Sequence, residues 1–348
     1  MKLGQAFDSR HNALNLWRLI LATGVIFWHS FPLTGNTIDF QPAVRLLSEV
    51  WVDGFFTVSG FLITASWMRR PHLGEYWRAR FLRIFPGLWV CVAVTAFVIA
   101  PIAAAVKHSS LPLSAEFAYV VNNGLLNVFY AGINGTPKDI PWPGVWNGSL
   151  WTLVFELLCY IAVCVLGLLG LLKRQWVLPT LFVASAVWSA YVSYPTMAQQ
   201  TIPQMLARFA VVFLAGALIH QYRDAIPARW SLVALCGVIV VASGFAQNYR
   251  LIAALPLAYA IIVSGALVRR FPLRNDISYG MYIYAFPVQQ LLATLGLVSL
   301  HPTVFFLVAA LCTIPLAAAS WFVVEKRAMA LKHPKRQQVA AGTSSHPK

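Results

Sequence analysis

The segment NLWRLILATGVIFWHSFPL, residues 15–33, decides the fold class of this chain. It is long enough to cross the hydrocarbon core of a bilayer, which takes about 20 mostly apolar residues. It nevertheless contains Arg18 and His29, and an ionisable residue inside a membrane span is costly and usually functional. The segment therefore predicts a transmembrane helix that carries part of a functional site.

The composition predicts that most of the chain lies in the membrane. Of its 348 residues 59% are hydrophobic and only 11% are charged, whereas a soluble domain carries about 25% charged residues. We predict an all-α, polytopic membrane protein with about ten transmembrane helices, in one domain over residues 1–330, followed by a disordered cytoplasmic tail over 331–348. The predicted spans are 14–33, 49–68, 84–106, 150–172, 176–194, 203–222, 229–246, 250–268, 277–297 and 303–325.

The net charge of +15 reflects membrane topology rather than a nucleic-acid partner. If the N-terminus is cytoplasmic, 20 of the 26 Lys and Arg residues fall in cytoplasmic segments. Arg250 is one of the four that fall outside. This asymmetry follows the positive-inside rule and predicts that both termini are cytoplasmic. The five cysteines all fall in predicted spans, and no metal-binding cluster is expected.

Five ionisable residues lie well inside predicted spans. His29, Asp53, Glu156 and Arg208 are expected in the outer third of the membrane, and Arg18 lies about 16 Å inward of His29 at about 1.5 Å per residue. Simpler explanations exist for each of them. Arg18 could snorkel to the headgroups, and His29 could be a packed side chain bonded to a backbone carbonyl. Asp53 could form a structural ion pair, and Glu156 could pair with Arg208.

Several sequence motifs occur in order along nearly the whole chain. They are Arg18 followed after ten residues by His29, WVDGFFTVSGFLIT (51–64), EYWRARFLRIFPGLWV (75–90), SLWTLVFE (149–156), ISYGMYIYAFP (277–287) and VVEKRA near residue 325. This set resembles the integral-membrane acyltransferase-3 family, the O-acetylases of bacterial surface glycans. The chain departs from the family at Ala285, where many members carry His. It also lacks the extracellular domain of some members, so we expect a stand-alone acyltransferase.

The resemblance implies an enzyme of the bacterial inner membrane that uses cytoplasmic acetyl-CoA or another acyl-CoA as co-substrate. No permanently bound cofactor or metal is expected. Guanidinium groups suit the phosphates of CoA because they donate bidentate hydrogen bonds. The residues predicted to hold the donor are Arg18, Arg78, Arg80, Arg83, Ser59, Tyr279 and Tyr282.

The acceptor implied by the family is a hydroxyl of a surface, exported or lipid-linked glycan on the outer side. His29 is predicted to be the general base, because a histidine side chain with its unperturbed pKa of ~6.5 can accept a proton near neutral pH. Asp53 would orient the imidazole, and Glu156 is the second candidate for that role. Arg208 and Trp151 are candidates for acceptor binding.

Several alternatives stay open from the sequence. The Trp residues of the loop before the fourth span, including Trp142, fit either a saccharide site or an aromatic belt. Ser59 could carry a covalent acyl group or simply allow close helix packing. A transporter or flippase of a lipid-linked glycan is the alternative function, and the oligomeric state is open.

Overall fold

The computed structural model describes residues 1–127, 130–192, 201–268, 273 and 275–332, and within these ranges it contains helices and no strand. The predicted all-α class is therefore confirmed. The α-helices are α1 (Leu3–Ala6), α2 (Leu14–Leu33), α3 (Gln41–Arg69), α4 (Leu73–Val94), α5 (Ala100–Val106), α6 (Leu113–Gly124), α7 (Thr152–Leu168), α8 (Val177–Tyr191), α9 (Ile202–Gln221), α10 (Trp230–Ser243), α11 (Arg250–Leu267), α12 (Ser278–Thr294), α13 (Pro302–Ala319) and α14 (Lys326–Ala330). Two π-helical turns, Thr95–Ile99 and Ser320–Glu325, join α4 to α5 and α13 to α14.

Within the described residues, six helical stretches are long and apolar enough to cross a membrane, judged by length and composition. They are α2, α3, α4 with α5, α9, α11, and α13 with α14. The helices α7, α8 and α10 are apolar but shorter, and α12 has 17 residues. Each of the ten predicted spans coincides with one of these helices or helix pairs. The count of ten crossings and the cytoplasmic position of the termini stay predictions, and the predicted tail lies outside the described residues from 333 onward.

The helix starts follow local sequence signals. In α9, Thr201 and Gln204 form a capping box, and Pro203 occupies the first turn, where its missing N–H costs nothing. In α13, the His301 side chain accepts a hydrogen bond from the backbone N–H of Thr303 at 3.3 Å. These caps satisfy backbone donors that no helix can satisfy for itself.

The helices α3 and α9 approach each other closely because two glycines face the partner backbone. A Cβ atom added to Gly60 would lie 1.9 Å from the Phe213 carbonyl oxygen, and one added to Gly216 would lie 2.0 Å from the Thr57 carbonyl oxygen. Small residues at such contacts let two backbones pack directly, which is the main way that helices associate in membranes. The interpretation of the Ser59–Gly60 pair as a packing feature fits this contact.

Helix α12 lies at the centre of the bundle, since 16 of its 17 residues are buried. The NH2 groups of its two buried glutamines donate to neighbouring segments, whereas their Oε1 atoms have no partner within the described ranges. Gln289 donates to the Ile26 carbonyl and to Ser30 of α2, each at 3.0 Å. Gln290 donates to backbone carbonyls of the loop that precedes α7. These bonds fix α12 against α2 and against the loop, which are the two elements that position His29.

Candidate active site

A cavity of about 350 Å³ lies among α2, α3, α4, α7 and α12, and we call it the inner cavity. It gathers residues from nearly the whole described chain, from Asn15 to Lys332. Seven of the predicted site residues line it: Arg18, Ser59, Arg80, Arg83, Glu156, Tyr279 and Tyr282. The remaining five predicted site residues lie elsewhere.

Two of the cavity arginines share one carboxylate. The Oδ2 atom of Asp276 accepts hydrogen bonds from Arg18 at 2.7 Å and from Arg83 at 2.6 Å, while its Oδ1 atom accepts from Ser278. Burial acts to raise the pKa of Asp276, but the two guanidinium groups and the bonds from Ser278 outweigh it and lower the pKa to about 2. Arg83 also lies 3.8 Å from the carboxylate of Glu325, so two carboxylates face the two guanidinium groups.

Sequence reasoning missed Asp276, although a signal was present. It is the acid that immediately precedes the ISYG motif, in a loop otherwise rich in arginine. An acid at the start of a helix accepts hydrogen bonds from the first-turn N–H groups, and a lone acid among cations is a natural ion-pair partner.

Arg80 is held differently from Arg18 and Arg83. It donates to Ser66 Oγ at 3.1 Å and lies over the rings of Tyr76 and Tyr160, 5.3 and 5.7 Å from their centroids. Its Nε atom has no hydrogen-bond partner, and it has no carboxylate partner, within the ranges that the structure describes. Burial, and then the charge of Arg80, lower the pKa of Lys332, which also lines the cavity. This end of the cavity is therefore suited to bind an anion.

Glu156 lines the inner cavity. Its Oε1 atom accepts hydrogen bonds from Ser59 Oγ at 3.1 Å and from the Tyr160 hydroxyl. The simpler explanation of Glu156 as an ion-pair partner of Arg208 is not supported, because the described ion pairs of Arg208 are with Glu49 and Asp53. Glu156 lies one turn from Thr152 on α7, so it lines the same cavity wall as that hydroxyl.

The hydroxyls of Thr152 and Tyr282, which both line the inner cavity, share a hydrogen bond of 2.7 Å. Phe286 follows Tyr282 by one turn of α12. The Phe286 ring meets His29 edge-on with centroids 5.0 Å apart, and Trp142 lies 6.1 Å from the same imidazole. His29 also bonds to the backbone of Val25. The imidazole thus lies one helical turn beyond the cavity, in an aromatic pocket.

Asp53 lies in a buried ion-pair cluster and has no described contact with His29. Its Oδ1 accepts from Arg208 Nε at 3.1 Å, and its Oδ2 accepts from Arg250 Nε at 2.6 Å and from the Tyr249 hydroxyl. Glu49 completes the cluster by pairing with both arginines. The expectation that Asp53 orients His29 therefore receives no support from the geometry, and Arg250, counted above among the residues of outside segments, is buried in this cluster.

Three other predicted site residues, Arg208, Trp151 and Arg78, do not line the inner cavity. Arg208 is fully buried within this cluster, and its guanidinium lies 5.9 Å from the Trp151 ring centroid. Trp151 also packs on Phe209 at 5.6 Å. Arg78 is exposed and lies outside the inner cavity. Acceptor binding by Arg208 or Trp151 and donor binding by Arg78 stay predictions.

The comparisons with known proteins agree with the motif order. A family model described as "Acyltransferase domain" matches residues 11–322. The chain belongs to the acyltransferase-3 family. It is 28% identical over 344 residues to the O-acetyl transferase of Shigella phage Sf6, covering 94% of this chain and 98% of that protein. It is 27% identical over 364 residues to nodulation protein 10 of Rhizobium leguminosarum bv. viciae, covering 93% and 95%. Comparison with solved structures gives no match.

In this acyltransferase-3 protein the ionisable residues form two separate groups. The inner cavity combines Arg18, Arg80, Arg83, Glu156 and Asp276 from distant segments. The buried ion-pair cluster of Glu49, Asp53, Arg208 and Arg250 instead connects α3 to α9 and α11. His29 belongs to neither group, and it approaches the inner cavity through Phe286.

Proposed function

We propose that this acyltransferase-3 protein is a membrane O-acyltransferase that moves an acyl group from cytoplasmic acyl-CoA to a hydroxyl of a surface or exported glycan. One observation carries the proposal. The guanidinium groups of Arg18, Arg80 and Arg83 line the inner cavity together with Tyr282, and Tyr282 lies one turn of α12 before Phe286, whose ring contacts His29.

The charge of the inner cavity supports an anionic donor. Arg18 and Arg83 are paired with Asp276, and Arg83 also with Glu325, whereas Arg80 has no carboxylate partner among the described residues. A phosphate of CoA would supply the missing negative charge and accept charge-assisted hydrogen bonds. Arg18 and His29 lie about 16 Å apart along α2, which suits an extended pantetheine arm between them.

The chemistry assigned to His29 is general base catalysis. The acceptor hydroxyl attacks the thioester carbonyl carbon, His29 takes the hydroxyl proton, the new C–O ester bond forms, and the C–S bond breaks. The proton then passes to the leaving thiolate, so that CoA departs as a thiol and the imidazole is neutral again. Phe286 must turn aside for the acyl group to reach the imidazole, because its ring covers the path from Tyr282.

Two further residues take supporting roles in this proposal. Trp142, beside His29, offers a flat apolar ring to a sugar face and is the best candidate for contact with the acceptor. Asp53 acts as a positioning residue, since its buried ion pairs hold α3 against α9 and α11. The acetyl group and the ester product are favoured by the relative named O-acetyl transferase, whereas the glycan acceptor and the bacterial inner membrane follow from the motif resemblance.

The proposal is tested with purified protein in detergent. Wild type should bind CoA and release free thiol from acetyl-CoA when an acceptor glycan is present. His29→Ala should bind CoA as tightly as wild type and lose most of the thiol release, and His29→Gln should behave the same way. If neither wild type nor variant binds CoA, the donor assignment fails and a transport function becomes the better explanation. If His29→Ala keeps full activity, the imidazole is not the base.

A further inference from the structure

A second cavity lies beside the inner cavity, and we call it the basic basin. Its volume is about 1120 Å³, which is at or above the upper end of the range of about 300–1,000 Å³ that is usual for ligand pockets. Four cations from four separate segments line it: Arg10, Arg69, Lys173 and Arg223. No Asp or Glu occurs among its described lining residues. The basin is therefore a convergence of cations from distant parts of the chain, and not the charged face of one helix.

Most of these cations lack an acidic partner. Arg223 lies 3.8 Å from Asp224. The side chains of Arg10, Arg69 and Lys173 are exposed and have no carboxylate partner within the described ranges. The basin therefore holds at least three uncompensated positive charges around one volume, which favours a ligand that carries several negative charges.

The wall of the basin also contains an unsatisfied polar group. Thr64 is 2% exposed, and its hydroxyl has no hydrogen-bond partner among the described residues. The Oε1 atom of Gln221, which also lines the basin, likewise has no hydrogen-bond partner among the described residues. A buried polar atom without a partner is costly unless a ligand or water satisfies it. A hydroxyl and an amide oxygen suit the ribose hydroxyls and the amino group of a purine nucleotide.

The basin and the inner cavity adjoin. Asn15 and Leu62 line both of them. Arg80 of the inner cavity also donates to Ser66, which lines the basin. One elongated ligand can therefore occupy both volumes, with its anionic head in the basin and a thinner arm in the inner cavity.

We infer that the basic basin binds the phosphate-bearing adenine nucleotide end of the acyl-CoA donor. The inference rests on the proposed function, and it adds a site that the motifs did not indicate, since Arg10, Arg69, Lys173 and Arg223 lie outside the predicted donor set. The basin anchors the nucleotide, while Arg18, Arg80 and Arg83 contact the pantetheine arm and its proximal phosphate.

The test compares two donors that differ only in the nucleotide. Acetyl-CoA carries it, and acetyl-4′-phosphopantetheine lacks it. The variant Arg10→Gln/Arg69→Gln/Lys173→Gln changes three exposed side chains, so the fold should persist. Arg229→Gln, an exposed arginine that lines neither cavity, is the matched control.

The triple variant should raise the KM for acetyl-CoA by about tenfold, in line with the loss of charge-assisted phosphate contacts. Its kcat and its KM for acetyl-4′-phosphopantetheine should match those of wild type and of Arg229→Gln. An equal rise in KM for both donors, or no rise for either, would overturn the inference. If wild type uses neither donor and binds no CoA, the proposed function itself fails, and this outcome is distinct from the other two.

An anionic lipid is the competing ligand for the basin. The same kinetics are therefore repeated in detergent with and without phosphatidylglycerol. A nucleotide site predicts that the lipid raises the KM for acetyl-CoA weakly or not at all. If the lipid raises the Tm of wild type but not of the triple variant, and the KM for acetyl-CoA is equal in both proteins, the basin is a lipid site and the inference is refuted.

Discussion

Replacing Asp276 by Asn tests how far the inner cavity depends on one carboxylate. The side chain is 8% exposed, and its Oδ2 atom bonds both Arg18 and Arg83. Asparagine keeps an oxygen that can accept from Ser278, so the start of α12 stays capped. The amide NH2 then replaces Oδ2, so the two guanidinium groups lose both the negative charge and the atom that accepts their hydrogen bonds, and we expect the substitution to lower the stability of the fold.

The magnitude follows from the pKa of this carboxyl, which falls from 3.8 to about 2 in the folded protein. One pKa unit corresponds to about 1.36 kcal/mol, so the ionised group contributes roughly 2–3 kcal/mol to the free energy of unfolding at neutral pH. Breaking a buried ion pair costs a comparable amount, about 3–5 kcal/mol. For a chain of 348 residues this stabilisation corresponds to a Tm lower by roughly 3–4 °C.

The pH dependence distinguishes this cause from a general packing defect. The folded pKa is depressed, so the contribution is present above the unfolded value of 3.8 and is lost as the pH falls toward 2. The Tm gap between wild type and Asp276→Asn should therefore be constant from about pH 5 to 8 and narrow below 3.8. The assay is thermal unfolding in detergent across this range. Glu75→Gln, which breaks a surface pair of 3.9 Å, should cost under about 1 kcal/mol. A gap that is absent at pH 7, or that stays constant on acidification, refutes the reasoning.

Three other substitutions give separate tests. Gly216→Ala should lower the Tm by several degrees because its Cβ would meet the Thr57 carbonyl, whereas Gly237→Ala, with nothing within 4 Å, should leave it unchanged or raise it. Arg80→Gln should raise the KM for acetyl-CoA about tenfold with little change in Tm, because no carboxylate loses its partner; an unchanged KM contradicts its donor role. Asp53→Asn should cost about 3–5 kcal/mol, measured as loss of monodisperse protein, since two buried guanidinium groups lose a shared carboxylate.

The helices could be predicted from the sequence because the number of consecutive apolar residues is a property of each segment alone. The predicted first span, 14–33, matches α2 at both ends. The cluster of Arg18, Arg80 and Arg83 in one cavity was also expected, but only through the family motifs. Composition and spacing by themselves indicated a membrane protein with buried charges and no particular reaction.

The ion-pair partners could not be predicted, because pairing depends on how the helices pack. Arg250 is the first residue of α11, and hydropathy shows only that an apolar segment begins there. The burial of Arg250 against Asp53 depends on the contact between α3 and α11. Depth counted along single helices also placed Glu156 in the same layer as Asp53. That count ignores helix tilt and the loop before α7, and the structure places Glu156 in the inner cavity.

The central claim is acyl transfer from one side of the membrane to the other through His29. The most direct test uses sealed inside-out vesicles that contain wild type or His29→Ala, with acetyl-labelled acetyl-CoA added outside. We expect wild-type vesicles to hold protected label that is bound to glycan and released by hydroxylamine, as an O-acetyl ester is. Vesicles with His29→Ala should hold almost no protected label. Equal protected label in both vesicle types, or label that stays entirely outside, contradicts the account.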